Sequence, residues 1–287
     1  MIDVSVIISM ADNRSLFFER SLWTYAKQTV DKSNFEIIVV DDGDRKDIKQ
    51  LCRDFSKQNG LQFQYINVDK HKSFVSPKSF TPALTNNIGF KNARGEVVVI
   101  TGPETLVMES NLEMAKTIKN KRQCWYGLVF LSNLKFVKCL NECHEFKRLD
   151  FNQLLSFDGA KNNCHSCPPH PPAYWYWMVA NKKDVFNIAG VDERFMGGIC
   201  GEDDDFSNRM KLSGVLPMFN HKMIGIHQNH SESDLNDNHS VRFTDDWKIL
   251  RGINLTFVKD NLDNKRVVVN SDHEWGDSKT IIFKEIF

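Results

Sequence analysis

Phe35-Glu36-Ile37-Ile38-Val39-Val40-Asp41-Asp42-Gly43 is an apolar, β-branched run that stops abruptly in carboxylates and a glycine. A run this short and this continuously apolar reads as a strand buried on both faces, the habit of parallel sheets covered by helices. Outward from it the chain alternates. Upstream lie a first strand from Val4 to Ser9, a turn at Ala11-Asp12-Asn13-Arg14, and a helical pattern through Phe17, Leu22, Tyr25 and Ala26. Downstream, Ile48, Leu51, Cys52 and Phe55 mark one face of a helix from Asp47 to Gln58, and Leu61 to Val68 makes a third strand. Pro82 to Asn92 reads as helix, and Glu96 to Ile100 as a strand ending in Thr101-Gly102-Pro103-Glu104. This alternation predicts an α/β fold, a Rossmann-like and mostly parallel central sheet with helices on both faces. Ligands in such sheets bind beyond the carboxyl ends of the strands, where Asp41, Asp42 and Glu104 stand.

At 287 residues and 41% hydrophobic content the chain can bury a sizeable core without disulfide staples. Lys+Arg and Asp+Glu both number 37, so no overall basic field exists to hold nucleic acid or a charged membrane surface. The amino terminus carries an early Asp3, lacks a basic leader, and has too short an apolar run for a signal peptide or a membrane span. A cytoplasmic location with free thiols is the expectation for the seven cysteines. Cys139 and Cys143, then Cys164 and Cys167, form C-x3-C and C-x2-C pairs near the spacing of a structural Zn²⁺ site, with His144, His165 and His170 close by. Small buried core thiols are the alternative. Glycosylation sequons at Asn13, Asn229, Asn238 and Asn254 would stay unmodified in a cytoplasmic chain.

The second half is less regular. Leu128 to Leu131 and Leu134 to Val137 are expected strands, and Cys139 to Pro172 is a polar insertion whose Pro168-Pro169-His170-Pro171-Pro172 run must be a rigid loop. Tyr174 to Ala180 is an expected strand with aromatics on alternate faces, and Asp184 to Ile188 a helix. Ser231 to Asp246 reads as loop, and Arg266 to Val269 and Thr280 to Phe283 as strand-like patches.

Gly201-Glu202-Asp203-Asp204-Asp205 lies between Gly197-Gly198 and the helix-like run Phe206 to Met210. Four adjacent carboxylates repel one another, so a fold that keeps them together has a cation, a polar ligand or a proton to receive, or uses them to cap a helix.

Val4 to Ser9 with Asn13-Arg14, Gln28-Thr29, Phe35 to Gly43, Asn87-Ile88-Gly89, Ala93-Arg94-Gly95-Glu96, Ala189-Gly190-Val191-Asp192-Glu193, and Gly201 to Asp205 with Arg209 and Gly214 together resemble family 2 glycosyltransferases of the GT-A fold. The Gly-Gly-Ile-Cys-Gly-Glu-Asp-Asp-Asp segment is also similar to the carboxy-terminal motif of galactosyltransferases and polypeptide N-acetylgalactosaminyltransferases. The resemblance spans roughly residues 1 to 230. It implies a GT-A domain at 1–240, with a nucleotide-binding half at 1–105 and an acceptor-binding half at 106–240, followed by an extension at 241–287 that has no match.

The resemblance also implies roles. A nucleotide-sugar donor, taken as a UDP-sugar, would lie near Ser9, Ala11, Asp41, Asp42, Gly102 and Glu104. The family's DxD element, which holds a Mn²⁺ or Mg²⁺ ion against the diphosphate, reads here Gly102-Pro103-Glu104, one carboxylate short and one lengthened. His227 falls where a further metal ligand is expected, and His230 competes for that role. Asp203 becomes the general base of an inverting transfer to a glycan or glycoconjugate hydroxyl, and Glu202 the residue that orients the acceptor. Asp204 and Asp205 would cap the helix or pair with Arg209. Trp175 and Trp177 are candidate platforms for the acceptor ring, with core packing the alternative. A retaining transferase and a catalytically silent sugar-nucleotide or glycan-binding module, the latter suggested by the altered DxD element, are the competing readings. A sugar-nucleotide pyrophosphorylase would need a Gly-rich phosphate loop near the first strand, which the sequence lacks.

Overall fold

Among the described residues ten strands form one sheet in the order β10-β3-β2-β1-β4-β8-β6-β9-β5, with β7 paired to β6. The computed structural model describes residues 1–10, 14–43, 45–68, 82–166, 175–198, 200–230 and 245–287; the side chains of 164–166 and 245–247 are outside the description. The strands are β1 (Val4–Met10), β2 (Phe35–Asp41), β3 (Phe63–Val68), β4 (Val97–Thr101), β5 (Thr105–Val107), β6 (Gln123–Leu131), β7 (Asn163–Ser166), β8 (Met178–Asn181), β9 (Leu216–His227) and β10 (Ile281–Ile286). The helices are α1 (Ser15–Ala26), α2 (Lys46–Asn59), α3 (Ala83–Asn92), α4 (Asn111–Lys116), α5 (Leu134–Glu142), α6 (Phe151–Ser156), α7 (Lys182–Asn187), α8 (Glu202–Leu212) and α9 (Asp245–Asp263).

Strands β3, β2, β1 and β4 are parallel neighbours, as their unbroken Val and Ile runs require of strands buried on both sides. Beyond β4 the sheet turns mixed: β8 runs antiparallel to β4 and β6, β9 is parallel to β6, and β5 is antiparallel to β9. The expectation of a mostly parallel sheet therefore holds only for the first half. Phe18, Leu22 and Tyr25 of α1 with Ile48, Cys52 and Phe55 of α2 cover one face, and Leu84, Ile88 and Phe90 of α3 with Phe206 and Met210 of α8 cover the other. A third apolar cluster joins Phe136 and Leu140 of α5 and Phe151 and Leu154 of α6 to Leu106 and Ile226.

Several expectations are corrected. Leu134 to Val137 is helix, not strand, because Asn133 accepts a hydrogen bond from the Phe136 amide as an N-cap, and Phe136 and Leu140, four apart, are buried together. The Tyr174 to Ala180 strand begins only at Met178. Arg266 to Val269 forms no strand, whereas Ile281–Ile286 does. The segment 245–287 packs onto the structure that precedes it. β10 pairs antiparallel with β3, and Asn254, Asn261 and Asn270 are buried against the preceding structure. The proline run at 168–172 and most of the 231–246 loop lie outside the described residues. Among the described residues no helix is long and apolar enough to cross a membrane.

Candidate active site

The β5–β9 register sets Thr105 opposite His227, which brings the turn after β4 against the end of β9. Glu104 Oε1 and His227 Nε2 lie 2.9 Å apart, and Arg14 Nη1 stands 3.2 Å from Glu104 Oε2 and 2.9 Å from His230 Nε2. Glu104, His227 and His230 each offer a ligand atom, all within 4.8 Å of one another. Gln228 locks this arrangement: its backbone and side-chain N–H groups both donate to the Glu104 carbonyl, and its side chain also donates to the Phe17 carbonyl of α1. A Cβ on Gly102 would come within 2.7 Å of Glu104 Oε1. The lengthened third residue of Gly102-Pro103-Glu104 thus folds back over the space that a first carboxylate would need.

Burial alone would raise the Glu104 carboxyl, but the Arg14 guanidinium, the His227 hydrogen bond and the nearby His230 together hold it well below the usual carboxylate range. Burial pushes His227 down, the bond to Glu104 opposing it, so its imidazole is neutral at neutral pH. An ionised carboxylate and a neutral imidazole are the forms that ligate metal. The donor set fits a divalent cation, with Glu104, His227 and His230 the residues that would hold it, provided Arg14 gives way. Arg14 carries a role that its place in the Asn13-Arg14 motif did not disclose.

Asp41, at the end of β2, is fully buried. Its carboxylate accepts from the Arg45 backbone N–H at 2.8 Å, from the Arg45 guanidinium, and from Tyr65 Oη at 2.6 Å. In this arrangement Asp41 orients Arg45 toward the strand ends, where Arg45 also donates to the Met10 carbonyl at 3.4 Å. Ser9 donates to Asn86 at 2.7 Å, and the buried Asp42 donates its amide to the Met10 carbonyl. Ala11 lies outside the described residues.

The acidic cluster opens α8. Gly201 precedes it at φ +89° and Cys200 at φ +62°, a left-handed pair that turns the chain sharply into the helix. Asp205 is buried and structural: it accepts from Arg209 Nε at 2.6 Å and from Asn261 at 2.7 Å. Glu202 and Asp203 are partly buried, and Asp204 is exposed. Burial pushes Glu202 up to about 7, with Asp204 adding to the shift, while burial and then the Glu202 and Asp204 charges push Asp203 well above the usual range. Glu202 Oε2 is buried without a hydrogen-bond partner among the described residues.

The segment 175–177 connects the two groups. Tyr176 packs edge-on against the His227 ring with centroids 4.8 Å apart, and Trp175 meets Phe206 of α8 edge-on at 5.8 Å. Trp175 is partly exposed, and its Nε1 also lacks a partner among the described residues. Trp177 is no ligand platform. It is 1% exposed, stacks on Tyr25 and abuts Gly127, so its faces are spent in the core. Cys139 is exposed and Cys143 partly exposed, and both thiols are free, while the side chains of Cys164 and Cys167 lie outside the description. The proposed four-cysteine Zn²⁺ set thus lies partly outside the described residues.

The central sheet flanked by helices has the GT-A fold of its structural neighbours. Residues 5–115 match the family described as Glycosyl transferase family 2. The validoxylamine A glucosyltransferase of Streptomyces hygroscopicus subsp. jinggangensis (strain 5008) is 22% identical over 247 residues, covering 77% of this chain and 54% of that protein. An uncharacterized glycosyltransferase of Rickettsia bellii (strain RML369-C) is 31% identical over 111 residues, 39% of this chain and 14% of that protein. The chain thus spans about half the length of the Streptomyces relative. Among solved structures, the mannosyltransferase PcManGT of Pyrobaculum calidifontis, in complex with GDP-Man and Mn²⁺, superposes with a TM-score of 0.55 at 16% identity, covering 91% of this chain and 64% of that one. S. aureus TarS 1-349 in complex with UDP gives 0.55 at 13% identity over 91% of this chain and 72% of that one.

Proposed function

We propose that the protein is an inverting, metal-assisted glycosyltransferase that moves a sugar from a UDP-sugar to a hydroxyl of a glycan or glycoconjugate. The observation that carries this is that the adjacent residues Trp175 and Tyr176 pack against Phe206 of α8, the helix that opens on the carboxylates, and against His227 of the Glu104–His227–His230 cluster. A cationic locus for a diphosphate leaving group and a proton acceptor for an attacking hydroxyl are the two requirements of the reaction. The GDP-Man, Mn²⁺ and UDP in the similar structures support the donor and the ion.

The acceptor hydroxyl gives its proton to the Asp203 carboxylate as its oxygen attacks the anomeric carbon; the bond to the diphosphate breaks on the opposite face, and nucleoside diphosphate leaves. The raised Asp203 is a stronger base, once ionised, than an ordinary aspartate. Glu202 and Trp175 turn unpartnered buried polar atoms to the acceptor side, where sugar hydroxyls satisfy them. Ser9, Asp42 and the Asp41–Arg45 pair line the nucleotide side, with Gly102 and Glu104 toward the diphosphate. Bound at Glu104, His227 and His230, a divalent cation supplies charge neutralisation to the leaving group.

The test is turnover of UDP-, GDP- and dTDP-sugars with candidate glycan acceptors and with Mn²⁺, Mg²⁺ or EDTA, comparing wild type with Asp203→Asn. Release of UDP that is abolished by EDTA and in Asp203→Asn is expected, with inversion at the anomeric carbon of the product. Release from no donor would favour the binding-module reading, and a product with retained configuration would remove Asp203 as base.

A further inference from the structure

We propose that Arg14 is a built-in counter-ion that competes with the divalent metal for Glu104 and His230. The inference rests on the reading of this cluster as a metal site. Arg14 is 9% exposed, and one nitrogen of its guanidinium reaches two of the three candidate ligands, at 3.2 Å and 2.9 Å. Because Gly102 offers no second carboxylate, the buried Glu104 would be left with only its 2.9 Å contact to His227 and whatever cation is at hand. An ionised carboxylate in such a place needs a positive partner, and a guanidinium, which never loses its proton in proteins, supplies one from the chain itself.

The two cations exclude each other. The His230 Nε2 lone pair that accepts an N–H from Arg14 is the one that would ligate a metal there, so the hydrogen bond and the metal bond cannot coexist. A divalent ion at bonding distance from Glu104 would also face the guanidinium charge at contact range. Arg14 therefore holds metal affinity down in the protein without nucleotide. An incoming diphosphate offers the planar fork of the displaced guanidinium a bidentate anionic partner, which ties metal loading to arrival of the donor.

The experiment is Mn²⁺ binding to the full chain without nucleotide, read from the electron paramagnetic resonance signal of free Mn²⁺. The chains compared are wild type, Arg14→Gln, Arg14→Lys and, as a control at the far edge of the sheet, Arg53→Gln. Arg14→Gln is expected to bind about tenfold more tightly or better. Arg14→Lys and Arg53→Gln should stay near wild type. Measurable binding that is equal or weaker in Arg14→Gln overturns the competition and makes Arg14 a support for the ligands. Absence of Mn²⁺ binding by every chain sinks the metal reading itself, a different result. Should Arg14→Gln fail to fold, the arginine Nε–H resonances of the wild type decide: saturation with diamagnetic Zn²⁺ must move the Arg14 signal, and an unmoved signal overturns the proposal.

Discussion

Glu104 is a buried carboxyl and Asp203 a partly buried one, and their surroundings drive them in opposite directions. Arg14 and the two histidines keep Glu104 ionised, whereas burial and then the Glu202 and Asp204 charges make ionisation of Asp203 costly. Asp203→Asn is expected to lower glycosyl transfer by about 10²–10⁴-fold, the usual worth of a positioned base, with little change in donor KM. Its stability should move the other way. A carboxyl raised in the folded state stabilises when protonated and loses that contribution as pH rises through its folded pKa, so the ionised Asp203 strains the protein at pH 8. Asp203→Asn should melt about 2–4 °C above wild type at pH 8, and the gap should close as the pH is lowered and the native carboxyl protonates; calorimetry across that range checks it. For Glu202 the window is explicit: its protonated form contributes fully below pH 4.5 and is lost as pH rises through about 7. The acidic limb of kcat/KM should accordingly fall near neutrality, and a limb near pH 4 would remove the coupled carboxylates from catalysis. The carboxylates and His227 could be picked from the sequence because residue type and order point to them. The burial of Trp177 and the seating of Arg14 could not, since both depend on partners such as Tyr25 and His230, distant along the chain.

Helix α8 is held in place by α9, which follows it in the chain. Asn254 of α9 donates to the Phe195 carbonyl at 3.2 Å and to the Cys200 carbonyl at 2.8 Å, and a Cβ on Gly198 would come within 2.3 Å of both the Leu250 carbonyl and Asn254 Oδ1. Asn261 accepts from Arg194 at 2.7 Å and donates to both Asp192 and Asp205. Asn254→Ala should destabilise the protein by about 1–3 kcal/mol by removing its hydrogen bonds to the Phe195 and Cys200 carbonyls. Denaturant unfolding measures this, and an unchanged midpoint would mean that α9 is not seated as described. The same burial, 0% exposed, keeps the Asn254 sequon from modification in the folded chain. The alternation from Val4 to Ile100 was readable because each strand there is uniformly apolar. α9 was not, since Ile249, Leu255 and Leu262 are 63%, 45% and 44% exposed and scatter the apolar residues around the helix, hiding its buried stripe.

Over the whole molecule the carboxy-terminal segment belongs to the core it follows. Deleting 245–287 would remove β10 from the sheet, the Asn270 bonds to the Ala189 and Val191 carbonyls, and the packing of Phe257 and Val258 on the second core. A truncated chain should lose its cooperative thermal transition and aggregate on size-exclusion chromatography, and a sharp wild-type melt would refute the claim. No local pattern announces this dependence, because β10 finds β3 across more than two hundred residues. That distance has a consequence during synthesis. The outer edge of β3 is complete once residue 68 is made, yet its partner is not available until residue 281 has followed. For that interval the growing chain carries an open strand edge able to pair with other polypeptides. In the finished protein the outermost strand carries Lys284 and Glu285, and Glu285 is engaged by Lys49 and Arg53. The time of greatest exposure to mispairing is therefore while the ribosome is still at work.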